Sequence, residues 1–230
     1  MAQFNISGTP SVTVALRRSA RARRISLRVS RLDGKVTLTI PSNVSDREAM
    51  AFAHEKQDWL RKQVAQQPEA VVVAHGAEVP VAGRVRLIVP GAGRSVQLGG
   101  GELAVPGKPE LVGRKVQGFL KELARHRLAE AVDHYAARLG RQPTKLTLRD
   151  TRSRWGSCSS SRALMFSWRL VMAAPDVLDY VAAHEVAHLK EMNHSQAFWN
   201  EVTIIHGPYE TPRRWLRHHG QELHRYQFAG

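Results

Sequence analysis

The sequence predicts an α+β fold with a β-rich amino-terminal region and a more helical carboxy-terminal half. Three observations predict it. Short runs of alternating apolar and polar residues, punctuated by Gly and Pro, fill much of the first 108 positions. A long segment at about 110–139 repeats its apolar residues at helical spacing. A further helical segment at about 175–190 carries His184, Glu185 and His188 among apolar neighbours. The change of texture sets the expected division: an α+β region over 1–108 and a second domain over 109–230. The chain's 230 residues suffice for one large or two small cores, and 43% hydrophobic content is that of a folded protein rather than a disordered one.

The elements follow in order. A strand is expected at 11–16. Ile25, Leu27 and Val29 alternate with Ser26, Arg28 and Ser30, and Val36, Leu38 and Ile40 alternate with Thr37 and Thr39. Asp33-Gly34 between them tolerates positive φ, which makes a hairpin. Ser45-Asp46-Arg47-Glu48 is a capping box. The helix it opens is expected to bury Ala49, Phe52, Ala53, Trp59, Leu60 and Val64 and to stop before Pro68, with Trp59 read as core. Over 74–107 the alternations are short: Val85, Leu87 and Val89, then Val96 and Leu98, then Leu103 and Val105. Gly99-Gly100-Gly101 reads as a turn, because no Lys-Ser/Thr pair or immediate helix follows to make a phosphate loop.

The 110–139 helix is expected to pack Val116, Phe119, Leu120, Leu123, Leu128, Val132, Tyr135 and Leu139 and to end at Gly140. Strands are expected at 145–149 and at about 164–171, the second with Leu164, Phe166, Trp168 and Leu170 on one face. Pro175 suits the first turn of the next helix. Asn193, with Gln196 three residues on, is the expected cap of the following helix, which is expected to end near His206-Gly207-Pro208.

Charge and cysteine usage narrow the setting. The formal charge is +14, with Arg17, Arg18, Arg21, Arg23, Arg24, Arg28 and Arg31 in one short segment and Arg213, Arg214, Arg217 and Arg225 near the end. Such a surface attracts a nucleotide or nucleic acid, or serves solubility alone. No zinc-finger spacing and no aromatic RNA-binding signature accompanies it. No run of 18 apolar residues is present, so no membrane span is expected. Residues 1–13 are polar, so no secretory signal is expected. The single Cys158 excludes an internal disulfide framework and points to a reducing, cytoplasmic compartment.

His184-Glu185-Val186-Ala187-His188, followed by Asn193-His194, carries the chemistry. Two His four apart on a helix share one face, so their ring nitrogens can meet on one metal. With 11 His in the chain, a chance pair is the competing reading. Val177, Leu178, Val181, Val186 and Leu189 at helical spacing, and a third His where the helix should end, favour the metal. His184, His188 and His194 would hold Zn2+ and leave a fourth position for water, with Glu185 as general base. Three imidazoles accept other divalent ions as well. The His-Glu-x-x-His-x5-His separations match the metzincin pattern, but Glu191 stands where that pattern has Gly, so the chain must turn by another route, through Asn193 or a 3-10 end to the helix. Glu201, Glu210 and His206 rank behind His194 as third ligand, and Cys158 lacks a CxxC partner.

Several segments together carry a resemblance. Arg154-Trp155-Gly156-Ser157-Cys158, Phe166-Ser167-Trp168-Arg169-Leu170, the run from Asp179 through His184-Glu185 to Leu189, Asn193-His194-Ser195 and Phe198-Trp199 resemble the YgjP-like zinc metallopeptidase family. Pro208-Tyr209, Trp215-Leu216, the Arg-rich hairpin and the Trp59-Leu60 helix fit it too. The resemblance implies a zincin-like catalytic domain related to the SprT and WLM metallopeptidases, acting on a peptide or protein substrate. It implies an edge strand near 166–170 that pairs with an extended peptide, and a turn at 155–158 close to the metal. Candidate substrate or oxyanion contacts are Tyr209, Arg213, Trp155 and Ser157. Each has a plain packing or surface role as its alternative, and Arg214 shares the anion-holding role with Arg213. Two other functions stay open: a metal-dependent nucleoside triphosphate pyrophosphohydrolase, since nucleotide hydrolysis is also attributed to the family, and a DNA-associated SprT-like protease or binding module. No oligomeric state is written in the sequence.

Overall fold

A computed structural model describes residues 2–30, 34–65 and 69–228. It forms two compact units, Met1–Glu69 and Ala70–Gly230. Arg31, Asp33 of the expected hairpin turn, and Pro68, the expected helix stop, lie outside the described residues.

The first unit is a four-stranded sheet with two helices. Strands β1 (Ala2–Ile6), β2 (Val12–Arg18), β3 (Ser26–Val29) and β4 (Val36–Ile40) lie in the order β1-β2-β4-β3. Register sorts the faces: Leu16 stands opposite Leu38, and Leu38 opposite Leu27, while Ala15 stands opposite Thr37, and Thr37 opposite Arg28. Because side chains alternate along a strand, the leucines of these rows fall on one side and the threonine and arginine on the other. Val14, Leu38 and Ile40 are fully buried there, in one cluster with Ala49, Ala53 and Leu60. The expected hairpin is the β3–β4 pair; the pairing of β1 with β2 was not anticipated.

The expected single helix is two, α1 (Asp46–Glu55) and α2 (Gln57–Ala65), with the break at Lys56. The Ser45 hydroxyl accepts from the Glu48 N–H at 3.2 Å, as the capping box requires. Trp59 does not enter the core. It is 44% exposed, while Leu60 is fully buried. Leu60 is the α2 residue that joins the sheet's core, and Trp59, one residue earlier, points about 100° away around the helix.

The second unit begins with β5 (Val71–Val72), β6 (Glu78–Val81), β7 (Arg84–Gly91), β8 (Gln97–Leu98) and β9 (Glu102–Pro106), the last four forming a sheet of order β6-β7-β9-β8. On β7 the alternating apolar residues face outward: Val85 is 58% and Leu87 40% exposed, and Ile88 is buried. The register explains this. Ile88 stands opposite Leu103, and both join one core with α3 (Val112–Leu139), so the odd-numbered residues of β7 must point away. This shared core also draws 70–108 into the second unit, so the compact boundary falls at 69/70 and not at 108/109. Along α3, Val116, Leu120, Leu128, Val132 and Tyr135 are buried, and Gly140 closes the helix at φ 69°.

Next come β10 (Lys145–Arg149), β11 (Gly156–Cys158) and β12 (Ala163–Ser167), ordered β10-β12-β11. The strand expected to reach 171 stops at Ser167, and Trp168–Met172 forms a 3-10 turn. Arg169 supplies the reason. It is 8% exposed. Its guanidinium donates to both Asp150 carboxylate oxygens at 2.7 and 3.2 Å and to the carbonyls of Leu223 and Tyr226 at 2.9 and 3.2 Å. A buried charge needs all these acceptors, and most lie off the sheet ladder. The ring of Trp168 lies against the guanidinium at 4.7 Å and edge-on to Phe228 at 5.3 Å.

The chain closes with α4 (Pro175–Ala187), α5 (Gln196–His206), α6 (Glu210–His219) and β13 (Tyr226–Gln227), which pairs in parallel with β5. The cap of α5 is Ser195, not Asn193: its hydroxyl accepts from the Phe198 N–H at 3.5 Å. No described helix is long and apolar enough to cross a membrane.

Two stability measurements test this account. Replacing Arg169 with Ala, which strands Asp150 and two carbonyls, is expected to cost about 3 kcal/mol in urea unfolding, a low value for such a pair because Asp150 is partly exposed. The second concerns His224, whose ring lies 5.2 Å from Trp155. Burial first, then the Arg169 charge, pulls its imidazole down to about 4. The unfolded chain, with a pKa near 6.5, then binds more protons between those values. The stability that His224 contributes by staying neutral is complete above about pH 6.5 and is lost as pH falls toward 4. His224→Gln should flatten the Tm decline between pH 7 and 4 relative to the parent; parallel curves would exclude His224 as a source of that decline.

Candidate metal centre

Helix α4 is buried along most of its length, so its polar side chains stand out against an apolar background. His184 and His188 lie one turn apart on one face. The helix ends at His188, where Leu189 N–H bonds to Val186 O and Lys190 N–H to Ala187 O, both three residues back. This 3-10 tightening turns the chain without the glycine of the metzincin pattern. At that position Glu191 instead offers its backbone carbonyl, 2.9 Å from His188 Nδ1. That bond fixes the ring with its other nitrogen, Nε2, free for a metal.

The turn returns the chain to His194, just ahead of α5. Phe198, fully buried on the first turn of α5, forms the floor beneath all three rings, with centroids 4.8 Å from His184, 4.4 Å from His188 and 4.8 Å from His194. Nε2 of His184 and Nε2 of His194 lie 3.1 Å apart. One ligand atom from each of the three His lies within 4.8 Å of the others. Tetrahedral bonds of 2.0–2.1 Å to zinc place nitrogens about 3.4 Å apart, so this donor set fits the ion. Burial, then the neighbouring imidazoles, pushes His184 down to about 3; burial also lowers His188. Both rings are therefore neutral at pH 7, the form a metal requires.

Glu185 is 6% exposed. Burial pushes its carboxyl up to about 8, against a smaller opposing pull from Arg154. Strand β11 lies alongside. A Cβ at Gly156 would sit 2.5 Å from both Cγ and Oε1 of Glu185, so only glycine lets this strand approach the carboxylate. Strand alternation places Cys158, rather than Ser157, on the same side as Gly156. The Cys158 thiol is raised by burial and then by the Glu185 charge. Strand β12 is central in its sheet, so the expected edge near 166–170 is not an edge. The strand beside α4 with an open side is β11.

The other candidates separate. Tyr209 stacks on Trp199 at 5.1 Å and on Tyr180 at 6.1 Å. The Arg213 guanidinium covers Trp199 at 4.3 Å, and its charge is felt by His184 and Tyr180. Trp199 in turn lies 5.8 Å from His184 and from His194. Tyr209 and Arg213 thus border the imidazoles. Trp155 packs instead against Gly220 and His224. Among the alternative ligands, Glu201 pairs with Lys190, Glu210 accepts from the Tyr209 N–H at 3.1 Å, and His206 lies against Tyr135 and Tyr180. Tyr180 was missed as a site residue, although it precedes His184 by four and so shares its helix face.

A family model described as YgjP-like, metallopeptidase domain, matches residues 23–219. Among solved structures, the crystal structure of the metallopeptidase zymogen of Pyrococcus abyssi abylysin is similar at 20% identity and a TM-score of 0.36, covering 41% of this chain and 93% of that one. No curated protein matches.

The Gly156–Glu185 contact is directly testable. Gly156→Ala forces β11 away from α4 and should cost about 1–3 kcal/mol of stability. Metal uptake should persist, because no ligand comes from β11. Thermal unfolding and metal content check both; a variant as stable as the parent would mean that the two elements are not in contact.

Proposed function

The chain belongs to the YgjP-like metallopeptidase family, and on that premise we propose that it is a zinc-dependent peptidase in which His184, His188 and His194 hold the ion and Glu185 is the general base. One observation carries the reading: three imidazoles converge within 4.8 Å beside the buried Glu185. When bound, zinc supplies Lewis acidity that activates water and polarises a carbonyl. Glu185 takes the proton of the attacking water and delivers it to the departing amide nitrogen. Burial raises the proton affinity of this carboxyl, which favours its keeping the water's proton until the amide nitrogen departs. The open side of β11 offers backbone groups to an extended peptide next to Glu185. The Tyr209 hydroxyl donates to the developing oxyanion, and Arg213 holds an anionic group of the substrate. The lone Cys158 supports a reducing, cytoplasmic compartment.

Arg213 also favours a second reading. Stacked on Trp199, with no acidic partner among the described residues, it suits a phosphate as well as a carboxylate. The same centre would then hydrolyse a nucleoside triphosphate.

Glu185→Gln should retain zinc and lose about 100-fold or more in turnover. His188→Ala should lose the metal. Casein, a peptide library and the four nucleoside triphosphates, each with and without chelator, distinguish the readings. Chelator-sensitive peptide cleavage absent from Glu185→Gln supports the peptidase; pyrophosphate release with that dependence and no peptide cleavage replaces it. Turnover by Glu185→Gln equal to the parent's removes the general base.

A further inference from the structure

The arginines of the first unit are not spread at random. Residues 1–32 contain no Asp or Glu. Within this stretch Arg18 is the structural one: its guanidinium donates to the carbonyls of Pro41, Ser42 and Val44 and pairs with Asp46. Arg17, Arg21, Arg23, Arg24 and Arg28 are exposed and have no acidic partner among the described residues. Register places two of them on the outer face of the sheet: Arg17 stands opposite Thr39, and Arg28 opposite Thr37. The other three lie in the connection from β2 to β3, which the Ser19 N–H ties to Ile40 O at 2.9 Å. Thr13, Thr37, Thr39 and Ser26 share the outer face, so hydroxyl donors lie among the guanidinium groups.

We propose that this outer face and the 19–25 connection bind the phosphodiester backbone of double-stranded nucleic acid. Charge complementarity selects the class of partner. A surface built only for solubility mixes both signs, as α3 does where Arg125 pairs with Glu122 and Arg127 with Glu130. An interfacial membrane surface presents aromatic or aliphatic anchors beside its cations, and this face presents Thr, Ser, Gln and Asn. Single-strand binders stack bases on aromatic rings, but Phe4 stands opposite Val14 and so belongs to the apolar side. What remains is phosphate contact from Arg and hydroxyl groups, which fixes a duplex without reading its bases. By strand spacing, Arg17 and Arg28 have their Cα atoms about 12 Å apart, the scale of a duplex groove.

The test is fluorescence anisotropy of the full chain with a labelled 20-base-pair DNA duplex, the matching RNA duplex and a single strand, from 50 to 300 mM KCl. Five phosphate contacts predict a slope of log Kobs against log [KCl] of about −4.5. Changing Arg21, Arg23 and Arg24 together to Gln should reduce the slope by about 2.7, and changing all three to Lys should restore it. Changing Arg114, Arg125 and Arg141 of the second unit to Gln removes the same charge and should leave the slope as it was. Unaltered circular dichroism and Tm establish that the variants fold. Binding of either duplex with this pattern supports the assignment. It is overturned if the two Gln triples lower the slope equally, if the single strand binds tenfold tighter than both duplexes, or if phosphatidylserine vesicles bind and neither duplex does.

Discussion

Three imidazoles occupy one small volume around Phe198, and the two on α4 meet without mutual repulsion because they are neutral. Burial keeps His184 and His188 in that state. The surrounding elements follow from this requirement. Helix α4 must be buried to desolvate its two rings. Phe198 must sit at the start of α5 to floor them, and the turn from His188 to Ser195 must be tight enough to bring His194 back. The chain meets the last condition with 3-10 bonds and the Glu191 carbonyl in place of a glycine, and the same carbonyl orients His188.

A second constraint is the carboxylate beside the rings. Glu185 lies on a buried flank of α4, where only a strand without a side chain can approach it, and Gly156 supplies that strand. Position 156 thus belongs to the site through the atom it lacks. Arg169 has a comparable role at larger scale. By gathering acceptors from Asp150, Leu223 and Tyr226 it ends β12, holds the carboxy-terminal segment against the 3-10 turn, and leaves β11 as the strand beside the centre.

The two units divide the chemistry. The three imidazoles and the aromatic column of Tyr180, Tyr209 and Trp199 belong to the second; the densest run of arginine belongs to the first. In the first unit strand alternation does the sorting, sending aliphatic residues to the helices and threonines and arginines to solvent. An Arg18 that serves the fold stands next to an Arg17 that does not, because adjacent strand residues point in opposite directions.

Local pattern carried much of this into the sequence. The His184/His188 pair, the capping box at Ser45, the β3–β4 hairpin, the Gly140 helix end and the long α3 face are each set by contacts within a few residues, where spacing alone is informative. Tertiary packing decided the rest. Trp59 lost its core position to Leu60 because one rotation about α2 selects which residue meets the sheet. On β7 the inward row is Ile88's, because alternation offers two equivalent faces and only the α3 core chooses between them. The strand expected to run to 171 ended at Ser167 because the acceptors of Arg169 come from segments 19 to 57 residues away. A sequence specifies periodicity and local turns by short-range sterics and hydrogen bonds; which face is buried, and which strand lies open beside the centre, depends on partners that only the folded chain brings into reach.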